Sequence, residues 1–233
     1  MIQFQQGELF REFNLGNSRQ ASFPNSRYNA RKNQVLNLQL HNGFATEGEY
    51  GMPMLSPFTG DLPRHFIPFT ERNNGAWSCG IHCYLYDYML EILWERPIRV
   101  IPCLKRSSCV IAPDFSVFVD QPRAINIWNI YRNRWIASFW QNEGIPVIPS
   151  ASWGNVDSFG YCFDGLPENS VIAIGHVVTG RDASYKKLYR MGVEALIARK
   201  NPTLLLVYGA PLDYSPNVDV VYYEGFIQKL RKL

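Results

Sequence analysis

The sequence predicts an α/β fold: a mainly parallel sheet of about six strands with covering helices, as a partial barrel or an open twisted sheet, plus an irregular N-terminal arm. Three observations predict it. The stretch from Val110 to Trp153 reads as a short apolar run, a long amphipathic run and a second short apolar run, which is a βαβ unit. The alternation continues through VIAIGHVVTG, DASYKKLYRMGVEALIARKNP and TLLLVYG, and alternation of this kind means helices packed on a parallel sheet. The chain has 233 residues and is 46% hydrophobic, enough for one sizeable core.

Residues 1–50 form a polar arm, and 51–233 a single α/β domain. In the arm, Arg19, Arg27, Arg31 and Lys32 sit among Asn, Ser and Gln, with Phe23 and Tyr28 interleaved. That mixture suits a basic arm that touches phosphates and stacks on bases; an ordinary surface arm is the alternative. VLNLQL alternates like a short edge strand. Pro53, Pro57, Pro63 and Pro68 then forbid long helices and central strands, so this segment wraps the core.

IHCYLYDY is read as an aromatic strand ending at Asp87, MLEILWERP as one or two helical turns, RVIPCLKRSSC as a connector and CVIAPDF as the next strand. The long helix runs from about Pro122 to Glu143. Proline suits its first turn, and Gly144 closes it in the left-handed cap position. At about 100° per residue, Ala124, Ile125, Ile127, Trp128, Tyr131, Trp135, Ile136 and Phe139 share one arc. Arg123, Asn126, Asn129, Asn133, Arg134 and Gln141 share the other. Arg132 falls inside the apolar arc. It snorkels from the edge, is clamped by Asp114, Asp120 or Asp164, or binds an anion. IPVIPSASW, VIAIGHVVTG, TLLLVYG and DVVYYEGF supply the remaining strands. Asp182 caps the last long helix, and Gly192 on that helix suggests close backbone approach to a neighbour.

The net charge of +3 demands no nucleic-acid partner by itself. No apolar run is long enough to cross a membrane, and the N-terminus has no secretion layout, so a cytoplasmic protein is expected. The five cysteines fit no common zinc spacing and are read as reduced core thiols; a metal site on Cys79, His82 and Cys83 is the sharper alternative and lacks a fourth ligand.

Parallel sheets bind ligands at the carboxyl ends of their strands. Those ends carry Asp87, Asp114, Ser150 to Trp153, His176 and Tyr208–Gly209. Asp87 and Asp114 are the candidates to hold a divalent cation such as Mg or to act as acid and base, with His176 as base or ligand. Trp153 and Tyr208 would line a substrate, with Arg132 or Arg134 steadying an anion. The chain lacks GxGxxG after a strand, GxxxxGK[ST], HExxH and GxSxG, so no cofactor or hydrolase reading starts from a motif.

The run from Gly51 to Gly209 resembles an uncharacterised family of bacterial, phage and mobile-element proteins. The resemblance is carried by PDFS (Pro113–Ser116), YRNR (Tyr131–Arg134), VIPSASW and CFDG (Cys162–Gly165). It departs at Tyr86, where the family tends to carry a second acid. The resemblance implies a domain of unknown function in a mobile-element setting and no mechanism. Three functions compete. One is a metal-assisted hydrolase or transferase acting on nucleic acid or nucleotides. Another is a non-enzymatic nucleic-acid-binding protein using the arm and the basic QKLRKL tail. The third is an interaction module presenting Trp77, Trp94, Trp153, Tyr222 and Tyr223.

Overall fold

The computed structural model describes residues 36–37, 40, 43–73, 79–176 and 183–225. The chain divides into two compact units, residues 1–43 and 44–233, and the sheet lies wholly in the second. That unit opens with an antiparallel hairpin, β1 (Thr46–Glu47) and β2 (Met52–Pro53). Then follow β3 (Phe66–Pro68), β4 (Gly80–His82), α1 (Asp87–Glu95), α2 (Pro97–Leu104), β5 (Cys109–Ile111) and α3 (Arg123–Asn142). The second half holds β6 (Val147–Ile148), β7 (Ser150–Ala151), β8 (Val171–His176), α4 (Ala183–Lys200), β9 (Leu204–Gly209) and β10 (Val220–Tyr223).

Every strand from β3 onward pairs in parallel with its neighbour. The spatial order is the chain order, β3-β4-β5-β6 in one ladder and β7-β8-β9-β10 in the other. Pro149 joins the ladders. It has no N–H to donate, so the strand pairs with β5 before it and with β8 after it. The Pro149 carbonyl still accepts from Ala173 N at 2.8 Å, and Ala112 N donates to Ile148 O at 2.9 Å. Residues 147–151 therefore act as one strand, giving seven positions in one parallel sheet.

The sheet curls on itself. Tyr223 at its last strand donates its hydroxyl to Pro63 O at 2.6 Å, and its ring meets Phe66 of the first at 4.8 Å. Along the pairing register Phe66 is level with Gly80, Cys109 and Pro146, and Ser150, four residues on, with Ala173, Leu206 and Val221. Asn217 would then lie level with Phe66, yet the contact is with Tyr223, a stagger of six residues (223 − 217). A strand stagger of this kind is what closing a tilted sheet requires. The partial barrel is thus the form adopted. Its interior gathers Phe66, Cys109, Ile111, Ile148, Ala173, Leu206 and Tyr208 into one cluster.

Several local expectations are corrected. The aromatic strand stops at His82, and Asp87 starts α1 instead of ending a strand. Pro97, expected to end the helical turns, starts a second helix, and the first part of the expected connector from Arg99 belongs to that helix, α2. Phe66–Pro68 is a further strand, tolerated in the proline-rich segment because it lies at the sheet edge. The expected edge strand at VLNLQL falls mostly outside the described residues; Leu36 is helical and Asn37 has φ +54°. Asp182, Trp77 and the basic tail also lie outside them.

The helix α3 departs most from its two-sided reading. Asn126, Asn129, Asn133 and Arg134, placed on the solvent arc, are all buried. Hairpin strand β2 packs on α3 as the sheet does, so both faces are covered. Gly165 has φ +76°, and a Cβ there would stand 2.3 Å from Pro53 O, which explains the glycine of CFDG. Lys200, buried at the end of α4, meets Glu47 at 2.9 Å, and Arg199 meets Asp164 at 2.8 Å. These pairs pin the hairpin and the CFDG turn to α4.

Candidate active site at the barrel mouth

With all seven strand positions parallel, their carboxyl ends share one mouth. The loop after β5 carries Asp114 into it, and α3 holds that loop with an asparagine ladder. Phe115 N donates to Asn133 Oδ1 at 2.8 Å, and Asn133 Nδ2 returns a bond to Phe115 O at 3.2 Å. Asn129 Nδ2 reaches Ser116 O at 2.7 Å. Asn126 closes both polar groups of Phe118, at 3.2 and 2.9 Å. The spacing fits: helix positions seven apart rise about 10.5 Å, and three extended residues span about 10 Å. The three amides replace a strand neighbour that the loop lacks.

Asp87 grips the same loop from α1. Its carboxylate accepts from Ser116 N at 3.0 Å and Ser116 Oγ at 2.7 Å. Arg132 is clamped by Glu91, with both carboxylate oxygens at 3.0 Å, and by Asn129 Oδ1 at 2.7 Å; its guanidinium lies 3.7 Å above the Phe115 ring. The clamp partner is a glutamate of α1 in place of the expected aspartates. Arg134, 1% exposed, donates to the carbonyls of Asp164, Ser150 and Cys162 at 3.0, 2.9 and 2.7 Å. Burial lowers its pKa to about 10, and at neutral pH it remains a cation facing backbone.

Asp114 is different. Its Oδ1 is buried and has no hydrogen-bond partner among the described residues. Burial pushes its carboxyl up to about 7; the Ser152 hydroxyl pulls it down, the Asp87 charge raises it and Arg134 lowers it. Around it stand phenols that sequence reasoning missed. Tyr84 bonds Ser150 Oγ at 3.2 Å, and Tyr189 of α4 donates to Gly175 O at 2.9 Å. Burial and the Asp114 charge hold both phenols well above the usual tyrosine range, so both remain protonated. The missed signal was position: Tyr84 lies two residues past β4, whereas Ser152, one past β7, fell within the expected Ser150 to Trp153 stretch.

His176 ends β8, its ring 4.6 Å from that of Tyr189. His176 Nδ1 lies 2.8 Å from Ala210 O. A carbonyl only accepts, so Nδ1 carries a proton and Nε2 is the nitrogen left for another partner. Tyr208 is buried, bonded to His82 Nε2 at 2.8 Å and stacked 5.1 Å from Tyr84. Trp153 packs into the space Gly192 leaves, where a Cβ would stand 2.1 Å from its ring nitrogen. The close approach at Gly192 is therefore by a side chain. The Asp87 charge is felt at Asp114, but the Asp87 carboxylate is bonded to Ser116, and His176 turns toward Ala210. Among the described residues no three His, Cys, Asp or Glu side chains gather as a metal-holding group. Cys79 and His82 stand at opposite ends of β4, so the alternative metal set is not brought together. Arg19, Arg27, Arg31 and Lys32 lie outside the described residues.

A cleft of about 360 Å³ lies elsewhere, at the seam between β3 and β10, lined by Arg64, His65, Tyr208, Tyr222 and Glu224 among others. The mouth is the stronger candidate, because a buried carboxyl oxygen without a partner is costly unless it serves something. Among the described residues, no helix is long and apolar enough to cross a membrane.

No solved structure matches the chain. It is similar to the Gene 1 protein of Mycobacterium phage D29, 38% identical over 187 residues that cover 76% of this chain and 66% of that protein. It is also similar to the Gene 1 protein of Mycobacterium phage L5, 37% identical over 186 residues covering 76% of this chain and 78% of that protein. The chain therefore spans just under two thirds of the D29 relative. Residues 44–224 match a domain of unknown function, DUF4417, and the chain belongs to that phage-associated family.

Proposed function

We propose that the barrel mouth is an acid–base active site in which Asp114 exchanges a proton with a bound substrate, and that the chain is a hydrolase or transferase acting on nucleotides or nucleic acid. The observation that carries this reading is the buried, unpartnered Oδ1 of Asp114 at the carboxyl end of a central parallel strand. A carboxyl near 7 is populated in both protonation states at neutral pH, as a proton carrier needs. The Tyr84 hydroxyl, whose partner Ser150 Oγ can itself donate, is the donor for charge that develops beside it, and His176 Nε2 is a second proton acceptor at the same end of the sheet. The nucleotide class is supported by the aromatic rings near this end of the sheet, Tyr84 and Trp153, and by relatives that are phage proteins. A second reading places a divalent cation such as Mg between Asp87 and Asp114; the Asp87 charge felt at Asp114 favours it.

The test incubates the full chain with nucleoside mono-, di- and triphosphates and with single-stranded DNA and RNA, with and without Mg²⁺, and follows products by chromatography. Turnover is expected for at least one substrate, lost in Asp114→Asn with folding retained. Unchanged turnover in that variant rejects Asp114. Turnover of nothing in the panel rejects the substrate class. Dependence on Mg²⁺ selects the second reading.

A further inference from the structure

The opposite end of the barrel carries a second chemical arrangement. His65 immediately precedes β3 and Cys79 immediately precedes β4, each one residue before the paired Phe66 and Gly80. Being level on adjacent parallel strands, they stand side by side, and Cys79 Sγ lies 2.8 Å from His65 Nε2. The backbone supports this, since Gly80 N donates to His65 O at 3.1 Å. His65 is exposed and lines the seam cleft, so the pair is open to solvent through the imidazole.

The other four cysteines lack this setting. Cys83, Cys109 and Cys162 are fully buried, and burial raises all three thiols. Cys103 matches Cys79 in exposure, 9% against 8%, but its thiol donates to Arg72 O at 3.1 Å, an acceptor that cannot take its proton. Exposure alone does not separate these two; the imidazole does.

We propose that Cys79 is a covalent modification site, the thiol of this chain that reacts with hydroperoxides and soft carbon electrophiles, with His65 as its base. His65 Nε2 takes the Sγ proton, and the sulfur lone pair attacks a peroxide oxygen. The S–O bond forms as the O–O bond breaks, and the departing oxygen takes the proton back from the imidazolium. Sulfur is oxidised to the sulfenic acid by two electrons and the hydroperoxide is reduced to water or an alcohol. This site is independent of the Asp114 mouth.

The test treats the full chain with limiting iodoacetamide, and separately with hydrogen peroxide plus dimedone, and maps the labelled cysteines by peptide mass. Cys79 should label at least about tenfold faster than each of the other four, and His65→Gln should slow it about tenfold at neutral pH. The deficit should close near pH 10, where hydroxide replaces the imidazole. Comparison among thiols is made within the wild-type chain and needs no variant. Labelling of Cys103 as fast as Cys79 overturns the assignment. An unchanged rate in His65→Gln, or a deficit that persists at high pH, removes the base from it.

Discussion

Replacing Asp114 by asparagine should change how stability responds to pH. The carboxyl sits at about 7 in the folded chain, raised first by burial. In the unfolded chain it returns to about 3.9. Between those values the folded state holds a proton that the unfolded state has released, so stability falls as pH rises through the window and levels off above it. The difference is about three units, and at about 1.4 kcal/mol per unit this is at most about 4 kcal/mol. Water entry and relaxation around an ionised Asp114 reduce it, so about 2–4 kcal/mol is the working range. Asparagine has the same shape and no charge. The variant should be near neutral or slightly destabilised at pH 4.5, and more stable than wild type at pH 8 by that range. Urea denaturation of both proteins at several pH values, plotted as a difference, cancels the other titrating groups. A difference that stays constant within about 0.5 kcal/mol across the window refutes the buried-carboxyl argument.

Three further perturbations test the frame around that group. Asn133→Ala leaves the N–H and C=O of Phe115 without their amide partner and should cost about 2–4 kcal/mol by chemical denaturation, with the PDFS loop losing hydrogen-exchange protection; a cost below about 1 kcal/mol would mean the ladder does not hold the loop. Gly165→Ala should destabilise by about 3 kcal/mol or more, because φ is +76° and the new carbon meets Pro53 O; Gly144→Ala, with φ +79° and open space around it, should cost only about 1 kcal/mol. Equal thermal shifts for the two glycines would remove the steric argument. Arg134→Lys keeps the charge but cannot fork to three carbonyls, and should lower stability by about 3 kcal/mol as read by denaturation; a neutral result would show that water serves those carbonyls as well.

Much of the frame was legible because it rests on local period and on chain punctuation. The run 123–142 has helical spacing, a preceding proline and a closing Gly144 at φ +79°, and the helix stands there. The buried apolar runs of β8 and β9 read as parallel strands for the same reason. Asp114 was also legible, since a polar residue just past a buried strand belongs to the loop at the strand's carboxyl end. Its neighbours were harder to see. Tyr84 lies in a loop and Tyr189 on α4, and where each points depends on how strands far apart in sequence are paired.

By itself the amino-acid sequence determined the α/β class, the parallel sheet and the end of it where Asp114 sits, because repeat period and turn chemistry act over a few residues. Only the tertiary structure decided that the sheet curls far enough for Tyr223 to meet Pro63 across the seam. It alone paired Arg132 with Glu91, buried the Asn126–Asn129–Asn133 stripe under a loop, and set His65 beside Cys79. Those outcomes join segments 13 to 160 residues apart. The physical reason is register: the stagger of one strand against the next, accumulated around the barrel, selects which side chains meet, and no local pattern encodes that accumulation.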